Sequence, residues 1–185
     1  WKSMYTPTPQ ASYNCGNVNN TTPGMLLAEQ MPASRHTWDG IDFIDHLGKT
    51  IIWSQATYSG IWSCPGNTLP ADTWLYSYSA NKWEYKNAAR NPQPYDEGGS
   101  GAYDPVGKMY YALSRKPTGQ LLWRYNPDTD QWASLTTLGT VPWDGMMITD
   151  RKRQVLHCYP DYYDIKTNRW STLTGSAVET TAPFR

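Results

Sequence analysis

The chain has 185 residues, of which 17% are charged, and a formal net charge of zero. No basic stripe is available for a phosphate backbone, which excludes nucleic acid as a favoured partner. No apolar run approaches the roughly 18–20 residues of a membrane-spanning helix. Aromatics make up 14%, nearly all of them Trp (10) and Tyr (14), with two Phe; such side chains bury a flat body while the polar tip still finds a partner, which suits wet interfaces.

In chain order, Trp1-Lys-Ser-Met resembles Trp132-Ala-Ser-Leu and Trp170-Ser-Thr-Leu, so residues 1–5 read as the last strand of a unit whose earlier strands are absent. The expectation is a fragment, a processed chain or an incompletely assigned sequence. Residues 6–37 are rich in Asn, Thr and Pro and read as a long loop or arm. Asn19 and Asn20 each head an Asn-x-Thr sequon, which matters in a glycosylating secretory pathway. Cys15 and Cys64 sit in turn-like sequence where they could pair, whereas Cys158 lies in an apolar run and reads as a buried thiol. The composition points to an extracellular setting.

Three similar units follow, at 38–87, 88–136 and 137–175, before a tail at 176–185. Each is expected to carry four short strands. The first strands fall near 40–45, 99–103 and 145–149, and the second near 49–56, 108–114 and 153–159. The third strands fall near 72–78, 120–126 and 161–165, and the fourth begins at a Trp. No segment keeps a 3.6-residue apolar period, so helix is nearly absent. Asp45-His-Leu-Gly48, Asp104-Pro-Val-Gly107 and Asp150-Arg-Lys-Arg153 align as first-to-second-strand hairpin turns. Ser79-Ala-Asn-Lys, Asn126-Pro-Asp-Thr-Asp and Asp164-Ile-Lys-Thr-Asn align between the last two strands.

The strongest repeat signal is a Tyr seven residues before a Trp: Tyr76 and Trp83, Tyr125 and Trp132, Tyr163 and Trp170. These six, with Trp74 and Trp123, read as packing residues. Tyr125-Asn-Pro-Asp-Thr-Asp-Gln-Trp132 and Tyr163-Asp-Ile-Lys-Thr-Asn-Arg-Trp170 resemble the turn of kelch repeats over residues 38–174. The Gly-Gly doublet of that family is missing, so the resemblance is to divergent blades of the galactose-oxidase-like kind. It implies an all-β fold of about three four-stranded antiparallel β-propeller blades plus the orphan N-terminal strand. Closed propellers have four to eight blades, so further blades or neighbouring subunits are expected to complete the ring.

Segments 6–38, 57–71 and 86–98 are long, and in an up-and-down blade all three lie on one face. Binding residues concentrate on such loops. Candidate ligand-binding residues there are His36, Trp38, Asp39, Tyr58, Trp62, Tyr95, Asp96, Trp143 and Asp144. Trp38-Asp39-Gly40 and Trp143-Asp144-Gly145 are identical, and Tyr95-Asp96 precedes Gly98-Gly99. A ring beside a carboxylate would suit a sugar; equally, Asp-Gly forms a turn and the aromatic wedges between blades.

The galactose-oxidase resemblance raises the question of a copper site built from two His, a Tyr and a Tyr joined to Cys. Only His36, His46 and His157 exist, and they fall on different parts of a blade, so no catalytic set and no cofactor are expected. The Asp128 and Asp130 alternation is explained by its turn. The expected function is a non-enzymatic module binding glycan or a protein surface, as an adhesin or a viral fibre or decoration component. A structural assembly subunit and a copper-oxidase fragment are the alternatives.

Overall fold

The computed structural model describes residues 32, 39–55, 71–86, 100–116, 119–138, 146–158 and 160–173. In the first unit these form β1 (Ile41–Ile44), β2 (Lys49–Gln55), β3 (Ala71–Ser77) and β4 (Lys82–Lys86). The second holds β5 (Ser100–Asp104), β6 (Met109–Lys116), β7 (Gly119–Asn126) and β8 (Gln131–Leu138). The third holds β9 (Ile148–Asp150), β10 (Val155–Cys158), β11 (Asp161–Asp164) and β12 (Arg169–Thr172). The one helical element among the described residues is a single 3-10 turn, Asp45–Leu47. Each unit is a four-stranded antiparallel sheet with its strands in chain order. β1, β5 and β9 lie side by side, and β1 meets β5 in a parallel bridge between Asp39 and Ser100. Successive meander sheets arranged about their first strands are β-propeller blades.

Side chains alternate between the two faces of each sheet, and the middle sheet is covered by a neighbouring sheet on both. Between the first two blades, Ile44, Ile51, Trp53 and Leu75 pack against Tyr103, Tyr110, Ala112, Tyr125 and Trp132. Between the second and third, Ala102, Tyr111, Leu113 and Leu122 meet Met147, Leu156, Cys158 and Tyr163. Each blade therefore has an outgoing face, which carries side chains such as Trp53 or Leu113, and an incoming face, which carries the Tyr–Trp pair.

The seven-residue spacing has a direct cause. Tyr76 pairs with Trp83, Tyr125 with Trp132 and Tyr163 with Trp170 across the last hairpin of each blade. Ring centroids in these pairs stand 5.1, 4.9 and 5.3 Å apart. The four-residue turn between them ends in a left-handed Asn81, Asp130 or Asn168 (φ 49, 54 and 56°), a conformation these residues tolerate. Their side chains accept the tyrosine hydroxyls at 2.5, 2.9 and 2.9 Å. The residue before each turn also helps: Asn126 and Asp164 Oδ1 accept two backbone N–H groups each, and Ser77 Oγ accepts one, from Ala80.

The first hairpins correct one expected equivalence. Ile44 pairs with Lys49, Asp104 with Met109 and Asp150 with Val155. Ile44, not Asp45, therefore matches Asp104 and Asp150. Asp104 and Asp150 end their strands and accept turn N–H groups, from Val106 and Gly107 and from Lys152 and Arg153 respectively. Ile44 cannot do this. The first blade instead folds Asp45–Leu47 into a 3-10 turn closed by left-handed Gly48 (φ 61°), whose N–H donates to the Asp45 carbonyl. Lys108 and Gln154 hold the matching left-handed position in the other blades.

Candidate functional site

Of the nine candidate ligand-binding residues, Asp39 is described; His36, Trp38, Tyr58, Trp62, Tyr95, Asp96, Trp143 and Asp144 lie outside the described residues, as do Cys15 and Cys64. Asp39 stands at the entry to β1, where the three blades meet. Its carbonyl accepts Gly101 N–H of the second blade at 2.9 Å. Its Oδ2 accepts Met147 N–H, just before β9, at 2.7 Å. One residue of the first blade thus binds the backbones of both others. Burial pushes its carboxyl above the usual range, the Met147 amide opposes this, and the nearby Asp42 carboxylate adds to it.

Asp42, two strand residues further in, was not singled out by the sequence, and it does similar work. Its Oδ2 accepts Tyr103 N–H of β5 at 2.7 Å. The signal was present: Ile41-Asp-Phe places a carboxylate on the outgoing face of an inner strand, between two residues that face the other way. Tyr110 completes the cluster. Its ring crosses Gly101 so closely that a Cβ there would lie 1.7 Å from the hydroxyl, which is why β5 has glycine at that point. The hydroxyl is buried with no hydrogen-bond partner among the described residues; burial first, then Asp42 and Asp39, hold it well above its ordinary pKa.

On the opposite edge of the same seam, His46 links the two blades. Its Nδ1 meets Tyr103 Oη at 2.6 Å, and its Nε2 meets Asp128 Oδ1 at 3.2 Å. The three side chains come from the first blade's 3-10 turn, from β5 and from the last turn of the second blade. His46 therefore sits on the short-turn side, as its position in the repeat required, and is used in holding two blades together. His157 is half-buried beside Tyr162, with ring centroids 6.2 Å apart. Cys158 is a buried free thiol, as its apolar run suggested, and burial with nearby Asp161 and Asp39 pushes it up to about 11. Among the described residues no three His, Cys, Asp or Glu side chains converge as a metal site.

The packing aromatics are not equally covered. Tyr125 and Tyr163 are buried, and Trp132 is 5% exposed. Trp132 Nε1 donates to Thr73 Oγ1 of the preceding blade at 3.0 Å, and its ring touches Trp53 and Tyr110. Tyr76 and Trp83 of the first blade remain half-buried. Next to them stand Ile41, Phe43 and Tyr78, all exposed. Tyr78 meets the rings of Phe43 and Tyr76 edge-on and shares a 2.8 Å hydroxyl contact with Thr50. Trp74, on this same face, is buried; its Nε1 donates to Asp72 Oδ2 at 2.8 Å and its ring leans on Tyr85.

No protein-family model matches the chain, and no curated protein does. Among solved structures, the crystal structure of TolB from Acinetobacter baumannii is similar over 76% of this chain at 14% identity, with a TM-score of 0.47. The match spans 33% of the TolB chain. A likeness of that strength adds nothing to the architecture read from the strand order above. Among the described residues no helix is long and apolar enough to cross a membrane.

Proposed function

We propose that this chain is a non-enzymatic, kelch-type propeller module that binds a protein surface, in an extracellular setting. The observation that carries the reading is the incoming face of the first blade. It has the same Tyr–Trp pair as the covered faces of the second and third blades, yet Ile41, Phe43 and Tyr78 on it are 47%, 47% and 54% exposed. A contiguous aromatic and aliphatic patch marks an interaction surface, and Tyr and Trp are the residues that most often dominate one. Asp39 and Asp42 hold backbone N–H groups of neighbouring blades.

The test is a photo-crosslinking amino acid placed at position 43, with the exposed turn position 106 as control, irradiated in extract of the source cells. The expected result is an adduct with one defined polypeptide, identified by mass spectrometry, at position 43 and not at 106. No polypeptide adduct at 43 would refute the reading. The glycan version rests on Trp38, Trp62 and Trp143; glycan-array binding that is lost when these become Ala would put it in place of protein recognition.

A further inference from the structure

The short-turn end of the third blade carries a concentrated positive charge. Its two turns, residues 151–154 between β9 and β10 and 165–168 between β11 and β12, are tied together by a hydrogen bond from Ile165 N–H to the Gln154 carbonyl at 3.0 Å. Arg151, Lys152, Arg153, Lys166 and the adjoining Arg169 are all exposed there. The carboxylates at the base of the turns, Asp150 and Asp164, are occupied in accepting turn N–H groups. Asp150 also holds the Arg153 guanidinium at 2.7 Å. The other four cations form no ion pair among the described residues.

The turns themselves do not require this charge. In the second blade Asp104 caps the N–H groups of Val106 and Gly107 as Asp150 caps those of Lys152 and Arg153. Two neutral residues thus do there what two cations do here. Asn126 caps Asp128 and Thr129 as Asp164 caps Lys166 and Thr167, so an aspartate stands where the third blade has Lys166. The same turn geometry carries opposite charge in adjacent blades. Crowding like charges costs the folded state through repulsion, and the Arg153–Asp150 pair offsets only part of it. We propose that this end of the third blade binds a short acidic segment of a partner polypeptide. Arginine guanidinium groups grip carboxylates with two parallel hydrogen bonds. The four strand ends span about 14 Å at ~4.8 Å per gap, the length of about four extended residues at ~3.3 Å each. A longer polyanion running on across the rim would meet the second blade, which is joined to this end by Gln154 Nε2 donating to Asp104 Oδ1 at 3.1 Å. That blade presents the Asp128 carboxylate, 54% exposed, and would repel it. The two turns also hold no aromatic ring on which a nucleic-acid base could stack. This surface is separate from the aromatic face of the first blade, and either can be lost without the other.

Fluorescence anisotropy of a fluorescein-labelled hexaglutamate peptide, titrated with the 185-residue chain, tests this. Binding is expected at about 20 mM salt and should weaken about tenfold by about 200 mM, as exposed charges are screened. Lys166→Asp and Lys152→Val install the second blade's own residues in turns of the same geometry, so circular dichroism should match the wild type. They are expected to weaken binding about tenfold and about threefold respectively, the first being a change of two charges. Lys82→Gln, which removes an exposed cation at the start of β4, leaves binding unchanged, and a hexaglutamine peptide is not bound. No binding of hexaglutamate at low salt overturns the proposal, as does an equal loss from Lys82→Gln and Lys166→Asp. A heparin hexasaccharide or a single-stranded DNA oligonucleotide that binds this end more tightly than the peptide at equal charge overturns the acidic polypeptide as its partner. The position-43 crosslink is read separately and is not moved by these substitutions, so the two surfaces stand or fall apart.

Discussion

Trp132 and Trp83 occupy the same place in the repeat but not in the packing, and their truncation separates blade stacking from hairpin chemistry. Trp132 is 5% exposed, is in contact with Trp53, Tyr110 and Tyr125, and donates to Thr73 of the preceding sheet. Trp132→Ala removes an indole from a closed seam and is expected to cost about 3–5 kcal/mol, a large share of the 5–15 kcal/mol or so that a domain has. Trp83 keeps its Tyr76 contact at 5.1 Å but is half-buried and faces no covering blade among the described residues, and its truncation should cost about half as much. Urea unfolding followed by far-ultraviolet circular dichroism reads both. For a urea slope of about 2 kcal/mol per molar, the two midpoints should differ by about 1 M. Equal losses would refute the reasoning, since they would mean the hairpin pair, and not the seam, sets the value of the indole.

Four other substitutions probe the axial cluster. Asp39→Asn keeps an oxygen for Met147 N–H but removes the charge that burial penalises. Because burial raises the folded carboxyl above its ordinary value, wild-type stability falls as pH climbs from that ordinary value through the folded one. The variant should lack that fall in urea titrations carried upward from the ordinary carboxylate range. Glu84 contributes in the opposite sense: burial raises its carboxyl, but Lys49 at 2.8 Å overrides this and holds it below 4.5, so its stabilisation is lost as pH drops. Tyr110→Phe deletes a buried hydroxyl without a partner and is expected to be neutral or to stabilise by up to about 1 kcal/mol; a clear loss in thermal denaturation would contradict this. Gly101→Ala drives a methyl into Tyr110 and should cost several kcal/mol, on the order of the larger overpacking penalties. Tyr110→Ala in the same chain should relieve the collision, so the two losses will not add in a double-mutant cycle.

What the amino acids disclosed about the fold was local, and what they withheld was not. A Tyr and a Trp seven apart are facing partners in any hairpin with a four-residue turn, so the repeat can be read without knowing what stacks on it. The same holds for the Asn or Asp that ends each turn. The slip in the first blade came from treating Asp45 as the counterpart of Asp104 and Asp150. Both kinds of turn use Asp and a nearby Gly or polar residue, but one caps N–H groups with a side chain and the other relies on the left-handed Gly48. The roles of Asp39, Asp42 and His46 were illegible for a different reason. Their partners lie 108, 61 and 57 residues away, and only the stacking of blades brings those together. Asp39 was selected as a possible ligand group and is found bracing backbones. The exposed Phe43 and Ile148 pass in sequence for ordinary strand residues, because alternation alone cannot say which face of a sheet lacks a neighbour.

The Tyr-to-Asx hydrogen bond in each last hairpin spans five residues, whereas the blade-bridging bonds span more than fifty. Short loops close quickly, and hairpins form in about 1–10 μs, so these tyrosine-clamped corners should order before any two sheets meet. Kinetics then divide by distance along the chain. Weakening a corner should retard refolding, while weakening a contact between sheets should mainly hasten unfolding.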